Sequence, residues 1–350
     1  MRSINTALLS FGMSGRVFHA PFLQLHPGFT LAGAWERSKN VIREYYPEAK
    51  SYKTLEELLA DDSVELVIVN TPNYTHFEYA KAALLAGKHV IVEKPFTSTV
   101  KEAEELVSLA GQEGRYLSVY QNRRWDSDFK TVKKVINEGL LGEIVEAEIH
   151  FDRFNPILSP KQHKEVPGPG TGILHDLGPH IIDQALQLFG EPEALFADLR
   201  SLRPSSQIID NMDILLYYPN LRVRLKGGYF VKEPLPGFIL HGRNGSFLKQ
   251  RADVQETELQ AGMKPGNNDW GKEPTLAEGL LHVVKGGQDV RMHVPTLQGN
   301  YLDYFNGIYE ALVNNKRLPV TAEEGLLVMR VIEAAFDSNE VRKVIEMAAS

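Results

Sequence analysis

Short apolar runs and amphipathic stretches alternate over the first 120 residues of the chain. Ile4–Leu9, Thr30–Trp35, Val64–Val69, His89–Val92 and Leu117–Tyr120 have strand length and are rich in β-branched or large apolar residues. Between them, Gly15–Leu25, Ser38–Tyr46, Thr54–Ala60, Thr75–Ala86 and Val100–Gly114 carry apolar residues at helical spacing. Gly87 follows the fourth of these as a helix-terminating glycine should. Strand–helix alternation of this kind predicts a parallel sheet with helices on both faces.

After Tyr120 the rhythm changes. A helix at Ser127–Glu138 precedes a long strand at Glu143–Arg153, in which Ile144, Ala147, Ile149 and Phe151 punctuate polar residues. Asn155–Gly172, rich in Pro, Gly and Lys, predicts a loop. A helix at Asp176–Phe189 is followed by strands at Ala194–Leu202, Asp213–Tyr218, Arg222–Gly227 and Phe238–His241. Gly262–Glu273 is polar and shows no clear period. Two helices close the chain, Tyr301–Val313 and Ala322–Met347, the second opened by Thr321 and Glu324 as a capping box. The pattern predicts an α/β chain of two domains, 1–122 and 123–350, the second on a largely antiparallel sheet. The C-terminal helix is expected to pack back on the first domain.

Composition narrows the function classes. At 350 residues the chain exceeds one typical core, and 43% hydrophobic with 24% charged residues is ordinary for a soluble globular protein. The net charge of -7, from 38 basic and 45 acidic residues without long single-sign blocks, gives no nucleic-acid footprint. The absence of cysteine excludes disulfides, iron–sulfur clusters, thiolate zinc sites and cysteine nucleophiles. The first residues lack the apolar core of a signal peptide, and no stretch approaches the roughly 18 apolar residues of a membrane span. A cytoplasmic protein without membrane partners is the expectation.

Five segments carry candidate chemistry. The turn after the first strand, Ser10-Phe11-Gly12-Met13-Ser14-Gly15, has glycines where a backbone must approach a pyrophosphate closely. Glu36, about 24 residues beyond Gly12, has the spacing of an acid that accepts bonds from an adenosine ribose. Arg37, helped by Ser38 and Lys39, would instead favour a 2′-phosphate; the balance leans to NAD over NADP. Thr71-Pro72-Asn73 and His76 follow another strand, at the sheet edge where ligands of parallel sheets bind. Glu93-Lys94-Pro95 follows a third. An ammonium at Lys94 would stabilise alkoxide charge on a reacting hydroxyl, with Pro95 restricting its backbone to extended conformations. Downstream, Asp176 and His180 stand four apart in His175-Asp176-Leu177-Gly178-Pro179-His180, so one helical face presents both. A histidine there suits proton abstraction from an alcohol losing hydride. No His or carboxylate cluster shows the spacing of metal ligands, so no metal is expected.

Together these residues resemble the Gfo/Idh/MocA family of sugar and polyol oxidoreductases. The resemblance spans Gly12-x-x-Gly15 with Phe18-His19-Ala20-Pro21, Thr71-Pro72-Asn73-x-x-His76, Ala86-Gly87-Lys88-His89-Val90 before Glu93-Lys94-Pro95, and Asp176-Leu177-Gly178-x-His180-x-x-Asp183. Asn122-Arg123-Arg124-Trp125-Asp126 and Leu188-Phe189-Gly190 are similar to the branch containing scyllo-inositol dehydrogenases. The resemblance implies a Rossmann domain, a C-terminal α/β domain with an open sheet, and homodimers or homotetramers formed through that sheet's outer face. It also implies Lys94, Asp176 and His180 as the catalytic set and Asn122 and Trp125 near the nicotinamide. Arg123 and Arg153 join the catalytic set as substrate contacts. Three departures stand out: Ser10 replaces a glycine, Glu36 replaces the small or hydroxyl residue of NADP-using relatives, and Asn155–Gly172 lacks the Arg- and Trp-containing pattern of the inositol enzymes.

The reaction expected is reversible oxidation of a secondary hydroxyl on a cyclic polyol or sugar. His180 takes the proton, Lys94 holds the oxygen, Asp176 orients the substrate, and hydride passes to nicotinamide. Two rivals compete: a non-catalytic dinucleotide sensor, which needs neither Lys94 nor His180, and a glycosidase that uses NAD only transiently.

Overall fold

Six short apolar strands build the first sheet in a computed structural model that describes residues 2–37, 39–159 and 165–347. They are β1 (Ile4–Leu8), β2 (Phe29–Trp35), β3 (Lys50–Tyr52), β4 (Leu66–Val69), β5 (His89–Val92) and β6 (Leu117–Val119). All pair in parallel, in the order β3-β2-β1-β4-β5-β6. Every residue of β4 is buried, which explains a continuous apolar run instead of an alternating one. The connecting helices are α1 (Ala20–Leu25), α2 (Ile42–Tyr45), α3 (Leu55–Leu59), α4 (His76–Leu85) and α5 (Val100–Gln112). Strand order reverses between β1 and β4, so the crevice beyond their carboxyl ends is the ligand-binding position of this topology.

Two details differ from the pattern. The expected helix Gly15–Leu25 divides into a wide π-type turn, Gly15–His19, and α1. The edge strand β3 was absent from the reading because three residues, one of them buried, leave no periodic signal.

The compact unit around this sheet also takes in Gln255–Trp270 and Asn300–Met329. In the latter, Phe305 stacks on Phe22 of α1 at 5.6 Å between ring centres. The Ser118 hydroxyl of β6 donates to the Val320 carbonyl at 2.7 Å.

The second unit comprises Arg123–Val254, Gly271–Gly299 and the chain from Arg330. After α6 (Ser127–Asn137), its sheet runs through β7 (Ile144–His150), then past α7 (Ile173–Asp176) and α8 (Gly178–Phe189). It continues with β8 (Ala194–Arg200), β9 (Asn211–Tyr217), β10 (Arg222–Gly228), β11 (Phe238–Gly242) and β12 (Gly245–Lys249). Helix α9 (Gln255–Gln260) belongs to the first unit; β13 (Gly279–Lys285) and β14 (Gln288–Val294) complete one side of the sheet. Helices α10 (Leu302–Asn314) and α11 (Ala322–Val341) lead to β15 (Ile345–Glu346). The order is β14-β13-β12-β11-β7-β10-β9-β8-β15, antiparallel except for β7 beside β10.

Here the structure corrects two readings. The final helix stops at Val341, six residues earlier than expected, because Arg342 turns into the left-handed region with φ 55° and β15 then pairs with β8. The strands β12, β13 and β14 are not among the expected elements, although Val290, Met292 and Val294 alternate with Arg291 and His293 in the last of them. Part of the loop expected at Asn155–Gly172, residues 160–164, lies outside the described residues. Among the described residues, no helix is long and apolar enough to cross a membrane.

Candidate active site

The carboxyl ends of β1, β4 and β5 gather the first unit's chemistry. Asn70, the residue after β4, ties the first two together: its Oδ1 accepts from the Ser10 N–H at 3.0 Å and its Nδ2 donates to the Ser10 carbonyl at 2.8 Å. A Cβ on Gly15 would lie 2.4 Å from that same carbonyl, so only glycine allows the turn to close this tightly. Ser10, the departure from the usual glycine, contributes its own hydroxyl, which accepts from the Gly12 N–H at 3.2 Å. Within the turn Phe11 is buried edge-on against Tyr45 and Tyr46 of the α2 region, while Met13 is exposed. The turn's backbone, more than its side chains, is left to meet a pyrophosphate.

Glu36 follows β2 and turns inward. Its Oε1 accepts from the backbone N–H groups of Val41 at 2.9 Å and Ile42 at 3.2 Å. The ribose-binding role expected of it must therefore share the carboxylate with the start of α2. Arg37 is exposed, with its guanidinium 5.2 Å from the centre of the Trp35 ring. Ser38 lies outside the described residues.

Two expected cofactor contacts are also bonded to the backbone and side chains around them. The His76 ring is fully buried, with Nδ1 2.8 Å from the Pro95 carbonyl and Nε2 3.0 Å from the Thr71 carbonyl. Burial holds its pKa below the ordinary histidine value, against the pull of those carbonyls, so the ring is neutral and its one N–H serves one of them. A ring enclosed in this way braces the Thr71-Pro72-Asn73 turn and does not line it. Glu93 is likewise enclosed: Oε1 accepts from the Ser14 hydroxyl at 2.6 Å and from His19 Nε2 at 2.8 Å. Burial works to raise the Glu93 carboxyl, but the donors His19 and Ser14 and the Lys94 charge hold it below the usual range. Lys94 is half-buried and joined to Pro95 by a cis peptide bond. Asn122, buried, begins the short helical turn Asn122–Trp125 beyond β6.

In the second unit the structure gathers the remaining candidates around Phe151. The guanidinium groups of Arg123, Arg153 and Arg251 stand 5.0, 5.4 and 4.6 Å from its ring centre, and the His180 ring lies at 6.1 Å. Asp176 and His180 do not share one continuous helix, as expected. Asp176 ends α7 and His180 occupies the first turn of α8, with Leu177 between the two segments and Pro179 in the new first turn. The register of α8 is fixed by Asp183, which accepts from Arg124 Nε at 2.9 Å and Nη2 at 2.6 Å, and by Gln184, which accepts from Arg251 Nη2 at 3.0 Å. Arg123 also pairs with Asp126 at 3.3 Å.

Tyr229, beyond β10, escaped the sequence reading. Burial raises its phenol, and the Asp176 charge adds to that effect while Arg153 opposes it. The hydroxyl thus stands within electrostatic reach of both. The tyrosine's only sequence signal was its place at the end of a strand. Trp125, half-buried, belongs to the second unit, whereas Lys94 belongs to the first. Among the described residues no group of three or more histidines and carboxylates is arranged to hold a metal.

Comparisons with known proteins bear on the family and the fold. The description "Oxidoreductase family, NAD-binding Rossmann fold" matches residues 4–121, and "Oxidoreductase family, C-terminal alpha/beta domain" matches residues 133–347, both of the Gfo/Idh/MocA type. Scyllo-inositol 2-dehydrogenase (NADP(+)) IolW of Bacillus subtilis is 39% identical, over 98% of this chain and 96% of that protein. The uncharacterized oxidoreductase YdgJ of Escherichia coli is 40% identical over 99% of both. The solved structure of yvaA from Bacillus subtilis superposes with a TM-score of 0.96 at 38% identity, covering 99% of each chain.

Proposed function

The chain belongs to the Gfo/Idh/MocA oxidoreductase family, and from that premise we propose that it transfers a hydride between a secondary hydroxyl of a cyclic polyol or sugar and a nicotinamide cofactor. The observation that carries the reading is the crevice at the β1/β4 reversal. There a glycine-dependent turn, a second strand-end turn and the Lys94 segment are hydrogen-bonded into one edge. The fit to a dinucleotide rests on Gly15, where any side chain would meet the Ser10 carbonyl, so the turn keeps the close backbone approach that a pyrophosphate needs.

When bound, the nicotinamide supplies the hydride acceptor. Lys94 donates to the substrate oxygen and stabilises the negative charge that grows as its proton departs. His180 accepts that proton, its ring held by the Phe151 packing and the fixed register of α8. Asp176 accepts from a neighbouring hydroxyl and orients the ring, while Arg153 and Arg123 donate to hydroxyls further round it. We assign NADP as the cofactor. Glu36 shares its carboxylate with two backbone N–H groups at the start of α2, which weakens the lean to NAD, and exposed Arg37 can meet a 2′-phosphate. The name of IolW, an NADP-dependent polyol enzyme, supports both assignments. A homodimer or homotetramer built through the outer face of the nine-stranded sheet completes the proposal.

The test is Lys94→Ala beside the wild type, on a panel of inositols and sugars, with NAD and NADP followed by reduced-nicotinamide absorbance. Turnover should fall about 10²- to 10³-fold, the cost of removing one preorganised charge stabiliser. Dinucleotide affinity should hold, and the wild type should bind NADP more tightly than NAD. Near-normal turnover in the variant would sink the mechanism.

A further inference from the structure

Lys94 is flanked on both sides by residues that buried side chains tie to the two turns of the crevice. On one flank the Glu93 carboxylate takes three donors: Ser14 Oγ from the first turn at 2.6 Å, His19 Nε2 at 2.8 Å, and the Lys94 backbone N–H at 3.2 Å. The Glu93 side chain is 14% exposed and that of His19 wholly buried, its ring 4.5 Å from Tyr120. On the other flank the buried His76 ring lies between the Pro95 and Thr71 carbonyls, Nδ1 2.8 Å from the first and Nε2 3.0 Å from the second; being neutral, it donates to one of them and packs against the other.

Three donors on one side chain call for a carboxylate. Glutamine has nearly the same volume, but its Nε2 donates and cannot accept, so one of the three donors would lose its partner. A buried donor left alone costs more than the bond it made, so the backbone at Lys94 would move to recover it.

We propose that Glu93 and His76 are positioning residues that make the placement of Lys94 depend on the dinucleotide seated against the two turns. Ser14 moves with the first turn and pulls on Glu93; Thr71 moves with the second and acts through His76 on Pro95. The lysine reaches its working position only when both turns are occupied. This inference rests on the dinucleotide-binding reading above, and it assigns to Glu93 and His76 no contact with the substrate.

The experiment uses the full chain labelled with ¹³C-lysine, with the Lys94 Cε resonance identified by its loss in Lys94→Arg. In the wild type, saturating NADP should shift that resonance. In Glu93→Gln, NADP should still bind by fluorescence titration, yet the Lys94 resonance should no longer respond. The kcat should fall about 10- to 100-fold, the range for a catalytic group displaced by an ångström or less. Glu93→Asp, which keeps the carboxylate, should recover part of the response. Should Glu93→Gln fail to fold, Ser14→Ala, which removes one hydroxyl from the surface turn, carries the same test and should blunt the shift. A wild-type-like response and turnover in these variants would overturn the proposal alone. Failure of the wild type to bind any nicotinamide dinucleotide would instead overturn the functional reading beneath it.

Discussion

Gly15 is the residue at which a single methyl group does most harm. Its Cβ would press on the Ser10 carbonyl and stand 3.0 Å from Asn70 Nδ2, and both neighbours belong to the strap that joins β1 to β4. Neither can retreat without breaking a hydrogen bond to the other. Gly15→Ala should therefore raise the dinucleotide Kd at least about tenfold and lower the thermal midpoint, since strained backbone contacts cost on the order of 1–3 kcal/mol. Gly111, in α5, meets nothing within 4 Å, so Gly111→Ala should instead stabilise by about 0.5–1 kcal/mol. Fluorescence titration and calorimetry on the pair separate the two effects; equal behaviour of the two variants would refute the strain argument. The glycine spacing was legible in the sequence because close approach leaves no other residue type. The inward turn of Glu36 and the enclosure of His76 were not, since spacing places a residue at a strand end without saying which way its side chain bonds.

At the scale of elements, legibility followed burial. β4 and β5 are buried along nearly their whole length and stood out as apolar runs. β14 alternates Val290, Met292 and Val294 with Arg291 and His293, but only Val294 is buried, so its alternation does not mark a buried face. Its real signal was the Gly286-Gly287 turn, both residues at positive φ between Lys285 and Gln288, as a two-residue hairpin requires. The end of α11 was hidden for a different reason. The buried Ser338 hydroxyl donates to the Lys343 carbonyl at 2.7 Å and accepts from the Ala197 N–H of β8 at 2.9 Å, clamping the turn that feeds β15 into the sheet. Such a tertiary contact overrides a helical pattern that would otherwise continue. Ser338→Ala leaves a buried donor and a carbonyl without partners, and should destabilise by roughly 1–3 kcal/mol. Hydrogen exchange should show the loss concentrated in β8 and β15; uniform change across the chain would contradict the clamp.

For the whole molecule, two histidines contribute with opposite sign to stability against pH. The His89 ring is half-buried, and its Nδ1 accepts from the Tyr116 N–H at 3.0 Å, a bond that protonation would abolish. Burial, aided by the Arg115 charge, lowers its pKa from 6.5 to about 4. The unfolded chain thus takes up this proton near pH 6.5 while the folded chain resists until about 4, so stability is lost as pH falls through that interval. The full shift corresponds to about 3 kcal/mol, an upper bound because solvent reaches part of the ring. His150 has the opposite sign. Burial opposes its charge, but Asp152 at 3.2 Å and Glu148 at 2.7 Å outweigh it and raise the pKa above 6.5. Its contribution is complete below pH 6.5 and lost as pH rises through the raised value. Asp61 and Glu93, held below the usual carboxylate range, add to the loss at the acid end, while burial raises Glu273 against its bonds from Lys249 and Ser127. Burial also holds His26, His76 and His175 below the ordinary histidine value, so the acid limb draws on both units and His89 supplies one part of it. Denaturant midpoints measured from pH 4 to pH 9 should peak near pH 6.5 to 7. His89→Asn, whose amide oxygen still accepts from Tyr116, should make the acid limb shallower and spare the alkaline one; His150→Asn should do the reverse. If His89→Asn leaves the slope between pH 4 and 6.5 unchanged, the imidazole is not the group that the fold keeps neutral.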